Sequence, residues 1–156
     1  MNTYLLIKWS HILSSVLLVG TGFGTAFYLY FANRSRNVAA QAVVSRLVVR
    51  ADWWFTTPAA IYQPISGLWM AHMAGWPLNT TWIAASLGLY ILSGALWLPV
   101  VKMQLDMARI AEEASRKGAT ELPPRYWQLA RRWEWCGYPA FVSMLVTYGL
   151  MVFKPA

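Results

Sequence analysis

The chain has 156 residues, of which 58% are hydrophobic and only 12% are charged. A soluble domain of this length carries about twice that charged fraction. The apolar residues also fall into long runs that short charged stretches separate. This composition predicts one transmembrane domain over residues 1–156, in contact with a lipid bilayer. The basic residues that give the net charge of +7 lie mainly between the apolar runs. This placement predicts orientation in a membrane and argues against nucleic-acid binding.

Four apolar runs are long enough to cross the hydrocarbon core, for which about 20 residues suffice. They cover residues 4–31, 53–74, 82–101 and 135–153, and tryptophan or tyrosine marks most of their edges, as in interfacial aromatic belts. The first run lacks a cleavage pattern and is longer than a signal-peptide core, so we expect it to be retained. The sequence therefore predicts an all-α membrane protein, folded as a bundle of four transmembrane helices.

Basic residues concentrate in the two loops at 32–52 and 102–134, whereas the connection GWPLNTT has no charge. By the positive-inside rule, both basic loops face the cytoplasm and both termini face the outer, periplasmic side of a bacterial inner membrane. The first loop is expected to be an amphipathic or helical segment. The third span is expected to continue past the membrane as a charged helix that Gly118 and the Pro123–Pro124 pair end.

Asp52, the last residue before the second span, is the expected N-cap of its helix. Pro58 and Pro64 are expected to kink the helix, because proline removes a backbone hydrogen bond.

The only two histidines of the chain are predicted at nearly the same depth. His11 lies roughly 8 Å, and His72 roughly 6 Å, below the outer boundary at 1.5 Å per residue. Residues spaced by three and four predict one polar or small stripe on each of three spans, facing the bundle interior. The stripes are Lys8, His11, Ser15, Leu18, Gly22 and Thr25; Pro58, Tyr62, Ile65, Trp69 and His72; and Ser86, Tyr90, Ser93 and Trp97.

Two imidazoles at one level suit a non-covalent haem b with one histidine on each face of the iron. His11 and His72 are the expected ligands, Lys8 would pair with a propionate, and Ser15 and Tyr90 are candidate hydrogen-bond donors. Cys136 is the only cysteine, so covalent attachment through C-x-x-C-H is excluded. An iron with two histidine ligands has no open position, which favours electron transfer with the quinone pool or a redox partner protein.

The residues alone also allow both histidines to act without haem. A membrane histidine can hydrogen-bond across helices without any cofactor. Copper(I) could bind the two histidines together with Met70 or Met73. A non-redox assembly subunit is a further alternative, and a transporter of four short helices would need to form a homo-oligomer. The sequence shows no nucleophilic triad and no phosphate-binding loop, so hydrolase chemistry has no support.

The segments KWSHILSSVLLVGTGFGTAFYLY, RADWWFTTPAAIYQPISGLW and WIAASLGLYILSGALWLP resemble a family of small bacterial membrane proteins, domain of unknown function 2269. That family has no established activity to carry over. The chain is more distantly similar to HemJ-type protoporphyrinogen oxidases and to CopD-type copper-resistance membrane proteins.

HemJ-type proteins bind haem b, and three of their motifs have matches here. The matches are Lys8 with His11, Arg50 with Thr57-Pro58-Ala59, and Gly67-Leu68-Trp69. Ser86 stands where the HemJ pattern has a lysine, and His72 has no counterpart in it. The resemblance therefore implies haem binding more than it implies the oxidase reaction, which stays an alternative.

Overall fold

The structure is a computed structural model that describes residues 2–155. It consists of helices α1 (Thr3–Ser35), α2 (Val38–Ala51), α3 (Thr57–Met73), α4 (Thr81–Arg116) and α5 (Pro124–Phe153), with a π-helical turn at Asp52–Thr56 between α2 and α3. No strand occurs within residues 2–155, so the all-α prediction is confirmed. Helices α1, α4 and α5 are long and apolar enough to cross a membrane.

The helix ends follow local sequence signals. The Asn37 side chain accepts a hydrogen bond from the Ala40 N–H at 3.0 Å and caps the start of α2, as short polar side chains commonly do. Gly75 and Gly118 have φ angles of +67° and +66°, which glycine adopts at no steric cost. Gly118 ends α4, and Pro124 opens α5 at a position where a missing N–H does no harm. The predicted end of the charged helix after the third span is confirmed.

The predicted second span includes a π-helical turn, whereas each of the other three lies within a single α-helix. The helix does not begin at Asp52, whose backbone angles are helical (φ −63°, ψ −41°). Instead α2 passes directly into the π turn, where the Thr57 N–H donates to the Asp52 carbonyl five residues back. Pro58 follows and has no N–H to continue the usual pattern, which favours such a local rearrangement. The N-cap prediction for Asp52 is therefore wrong. Helix α3 alone has 17 residues, slightly fewer than a membrane crossing needs.

The main hydrophobic core lies at one end of the molecule. It joins the end of α1 to α2, the second half of α4 and the first half of α5. Met107, Ala111 and Tyr126 are fully buried at its centre. Twelve buried residues form this cluster: Leu29, Val38, Ala42, Val48, Val100, Met107, Ala111, Ala114, Leu122, Tyr126, Ala130 and Trp133. This end also carries the basic segments that the sequence predicts to be cytoplasmic.

The other end of the molecule exposes most of its large apolar side chains, although Trp82 and Ile83 are buried there beside Ala71. Trp9 is 63% exposed, Ile91 70% and Val152 72%. Lipid tails are as apolar as these side chains, so nothing drives them into the bundle, and small residues fill the helix contacts instead. The chain thus combines a lipid-facing half with a half that is packed like a soluble protein.

Helix α1 runs antiparallel to α3 and contacts it through polar side chains. The Ser10 and Tyr62 hydroxyls lie 2.6 Å apart, and the Ser14 hydroxyl donates to the Ala59 carbonyl at 3.3 Å. Because the residue numbers rise along α1 as they fall along α3, the two helices occupy the same depth.

Contacts between α4 and its neighbours complete the bundle. The Ser93 hydroxyl donates to the Ala140 carbonyl of α5 at 3.3 Å. At the far end of α5, the Lys154 ammonium lies 4.6 Å from the centre of the Trp76 ring, in the connection between α3 and α4. The end of α5 therefore lies beside that connection.

Candidate functional site

His11 occupies a half-buried niche on the face of α3. Its Nδ1 lies 2.7 Å from the Ser66 hydroxyl, and this hydroxyl also donates to the Tyr62 carbonyl at 2.8 Å. The ring packs over Gly67, where an added Cβ would lie 3.4 Å from His11 Cε1. The serine and the glycine therefore fix both the direction and the distance of the imidazole.

Gln63 is a third member of this niche, and sequence reasoning did not find it. In the amide orientation that satisfies its neighbours, its nitrogen lies 2.8 Å from His11 Nδ1, and its oxygen accepts from the Ser15 N–H at 3.0 Å. Gln63 and Ser66 are three residues apart and so share a helix face, which was the available signal. Two tautomers of the His11 ring are compatible with these contacts. When Nδ1–H donates to the Ser66 hydroxyl, which itself donates to Tyr62, Nε2 carries the lone pair that can bind another group, whereas a Gln63 N–H donated to Nδ1 leaves the proton on Nε2.

His72 lies on a different face of α3. It follows Ser66 by six residues, which at roughly 100° per residue places it about 120° away around the helix. Its neighbours on that face, Ile65 and Trp69, are 55% and 54% exposed, and His72 is exposed as well. The predicted interior stripe of α3 is therefore wrong. His72 is therefore not on the face of α3 that His11 contacts.

Among the hydrogen bonds of residues 2–155, none joins His11 to the side chain of Lys8, Ser15 or Tyr90. Lys8 is exposed. The Ser15 hydroxyl donates within its own helix, to the Ile12 carbonyl at 2.7 Å. The Tyr90 hydroxyl donates to the Ala60 carbonyl at 2.5 Å, and this bond joins α4 to α3 deeper in the bundle.

A cavity of about 690 Å³ lies between the helices, and we call it the central cavity. Residues from α1, the π turn, α3, α4 and α5 line it. Two of the three predicted stripes contribute, because Leu18, Gly22 and Thr25 of α1 and Tyr90, Ser93 and Trp97 of α4 all face this space. Leu18 follows His11 by seven residues, so the cavity begins roughly 10 Å along α1 from the histidine niche.

One end of the central cavity carries buried polar side chains, namely Asp52, Gln104 and Trp133, which are 5%, 6% and 6% exposed. The Asp52 Oδ1 accepts from the Thr56 hydroxyl at 2.8 Å. Asp52 Oδ2, Gln104 Oε1 and Trp133 Nε1 have no hydrogen-bond partner within residues 2–155. Burial raises the pKa of the Asp52 carboxyl, and the hydrogen bond from the Thr56 hydroxyl offsets part of this rise.

Sequence reasoning missed this polar end for an identifiable reason. Asp52 and Gln104 each stand next to the end of an apolar run, where a polar residue usually marks the membrane boundary. Trp133 has the same ambiguity, because tryptophan is enriched at interfaces. Only the packing of α4 and α5 against α2 turns these side chains inward.

Metal-ligating side chains do not cluster in the part of the chain that the structure describes. Across residues 2–155, no group of three or more histidine, cysteine, aspartate and glutamate side chains is placed to hold a metal ion. Cys136 is half-buried and has no disulfide partner.

Comparison with known proteins agrees with the membrane character of the fold. No curated protein and no solved structure matches the chain. The family described as "Predicted integral membrane protein (DUF2269)" matches residues 5–155. The chain therefore belongs to the DUF2269 family of predicted integral membrane proteins.

Proposed function

We propose that this membrane protein binds haem b without covalent attachment, and that His11 is the iron ligand that the chain supplies. The observation that carries the proposal is the niche on α3, where Ser66 lies 2.7 Å from His11 Nδ1. Histidine ligands commonly have their second ring nitrogen held by a polar neighbour, which fixes the ring and its tautomer. Such a neighbour is present before any iron is bound.

The donor set fits one axial histidine better than two. His11 is half-buried on the interior stripe of α1, whereas His72 is exposed beside Ile65 and Trp69. To act as a second ligand, His72 would have to approach from outside the α1–α3 pair. When bound, haem would supply one-electron chemistry. The chain's own contribution is to orient the His11 ring through Ser66 and Gly67.

Electron transfer with the quinone pool or a redox partner protein is the proposed role, and HemJ-type oxidation is the alternative. The HemJ pattern places a lysine where this chain has Ser86. The Ser86 hydroxyl is buried and donates to the Trp82 carbonyl of its own helix at 2.6 Å. It therefore offers no charge to a porphyrin carboxylate, which counts against the oxidase reaction, although an iron with His11 as its one histidine ligand would keep an open position.

The first test is an optical spectrum of the detergent-purified protein, oxidised and dithionite-reduced, after growth with ample haem precursor. We expect a Soret band in the wild type, its loss in His11→Ala and its retention in His72→Ala. Loss of the Soret band in both variants would instead support ligation of the iron by both histidines. Retention in His11→Ala, or a colourless wild type, would contradict the proposal, and a copper assay of the colourless protein would then separate copper handling from an assembly role.

Ser66→Ala tests whether the niche positions the imidazole. Removing the partner of a ligating histidine typically weakens binding by about 10–100-fold, so we expect haem to be lost at correspondingly lower concentrations of competing apomyoglobin. Ser86→Ala is the matched control, since its hydroxyl bonds only within its own helix. Equal haem retention in Ser66→Ala and Ser86→Ala would show that Ser66 does not position His11.

We further propose that α3 is a fourth span and that both termini lie on the periplasmic side of a bacterial inner membrane. Residues 53–73 form continuous helical structure about 31 Å long at 1.5 Å per residue, which matches the hydrocarbon core. The antiparallel contact between Ser14 and Ala59 supports the same depth for α3 as for α1. The position of Lys154 beside Trp76 supports a common side for the C-terminus and the α3–α4 connection.

A further inference from the structure

The polar end of the central cavity is incomplete in the chain alone. Asp52, Gln104 and Trp133 line the cavity, and their Oδ2, Oε1 and Nε1 atoms are buried and have no hydrogen-bond partner within residues 2–155. Buried polar atoms are nearly always paired in native proteins. Two of these atoms are acceptors and the third is a donor. Complete pairing of these atoms therefore needs donors at the two oxygens and an acceptor at the indole N–H.

The charges around the cavity point to a cation. Asp52 and Glu134 are among its lining residues, whereas no lysine, arginine or histidine within residues 2–155 lines it. This contrasts with the chain as a whole, which has a net charge of +7. A carboxylate in such a low-dielectric site attracts a cation strongly and repels an anion.

The rest of the cavity suits an apolar body. Aromatic side chains from three helices line it, among them Phe23, Phe27, Trp97, Tyr138 and Phe141, and the rings of Phe23 and Phe141 stack at 5.3 Å. The volume of about 690 Å³ is within the usual range for small-molecule sites. Phe27 and Tyr138 are 50% and 61% exposed, so the cavity opens toward the lipid side.

We propose that the central cavity binds a lipid-soluble amino alcohol, with its ammonium group at Asp52 Oδ2 and Gln104 Oε1. Its hydroxyl oxygen accepts from Trp133 Nε1–H, and its alkyl chain lies among the aromatic side chains. The ligand enters from the bilayer through the open side. This site lies about 10 Å along α1 from the His11 niche, so it does not depend on the proposed haem.

The test compares ligands that differ only in the head group. Native mass spectrometry in a non-ionic detergent would measure 1:1 adducts of the purified protein with the amine 2-aminododecan-1-ol, with dodecanol and with dodecanoic acid at equal concentrations. We expect the amine adduct to exceed the other two by about tenfold, or about 1.4 kcal/mol. In Asp52→Asn we expect this preference to disappear. Equal adducts in the wild type, or a preference for the acid, would overturn the proposal.

Two glycine variants control for ligand adsorbed by the micelle. Gly94 lines the cavity and Gly88, on the same helix, does not. An added Cβ meets no atom within 4 Å at either position, so neither substitution brings its Cβ into a clash. Gly94→Leu is expected to abolish the amine adduct and Gly88→Leu to keep it. Equal amine adducts in these two variants would overturn the proposal even if Asp52→Asn failed to fold, and adduct masses are measured whether or not the protein is coloured.

Discussion

Tyr126→Ala is expected to lower the free energy of unfolding by about 3–5 kcal/mol, the usual range for removing a buried aromatic side chain. Tyr126 is fully buried among α1, α2 and α4. Its hydroxyl donates to Asn33 Oδ1 at 2.7 Å and lies 3.5 Å from the Ser45 hydroxyl. The substitution therefore leaves a cavity and also removes the donor that Asn33 uses. Thermal unfolding in detergent, followed by circular dichroism, would measure the loss.

Tyr126→Phe separates the two contributions. It keeps the ring and leaves the Asn33 oxygen with only the weaker contact to Gln41 Nε2 at 3.5 Å, so a loss of about 1–3 kcal/mol is expected. Tyr138→Ala is the control, because that ring is 61% exposed and its removal creates no enclosed cavity. Tyr126→Ala would contradict the packing if it unfolded at the same temperature as Tyr138→Ala.

The size of the Tyr126 effect follows from where the residue lies. At this end of the molecule α2 covers α1 and α4, and the core cluster is shielded from water, so the hydrophobic effect stabilises it. In the lipid-facing half, removal of Trp9 or Val152 uncovers nothing, because these side chains are already exposed. The end that holds the core cluster therefore contributes more to the free energy of unfolding than the lipid-facing end.

The sequence predicted well those features that depend on neighbouring residues. The helical class, the turn at Gly118 and the continuation of α4 to Arg116 all follow from local composition. The interior stripes of α1 and α4 were also found, because Leu18, Gly22, Tyr90 and Ser93 repeat at helical spacing and line the cavity.

The features that it missed depend on packing between helices. On α3 the large aromatic residues were taken for the interior, but Ala59, Gln63, Ser66 and Ala71 are the buried face. Small residues allow close helix contact in lipid, whereas bulky ones gain nothing by burial. The π turn before Pro58 joins α2 to α3 without a break in the helix. Because a π turn interrupts the regular α-helical spacing, the sequence pattern does not predict which way the Asp52 side chain faces.

The number of membrane crossings decides the topology, and cysteine labelling can measure it. Cys136 is the only cysteine, so Cys136→Ser provides a cysteine-free background. Single cysteines would then be placed at Asn79, Glu121 and Pro155, which are all exposed. With four spans, a membrane-impermeant maleimide added to spheroplasts should label positions 79 and 155 and leave position 121 unlabelled. Lysed membranes should be labelled at all three positions.

The reverse pattern has an equally definite meaning. If α3 stays on the cytoplasmic side, position 79 is protected, α4 carries position 121 to the outside, and α5 returns position 155 to the cytoplasm. That arrangement would expose the basic segment around Arg116, Lys117 and Arg125 to the periplasm, against the positive-inside rule. The rule, together with the pairing of α3 with α1 through Ser14 and Ala59, is why we expect positions 79 and 155 to be labelled together.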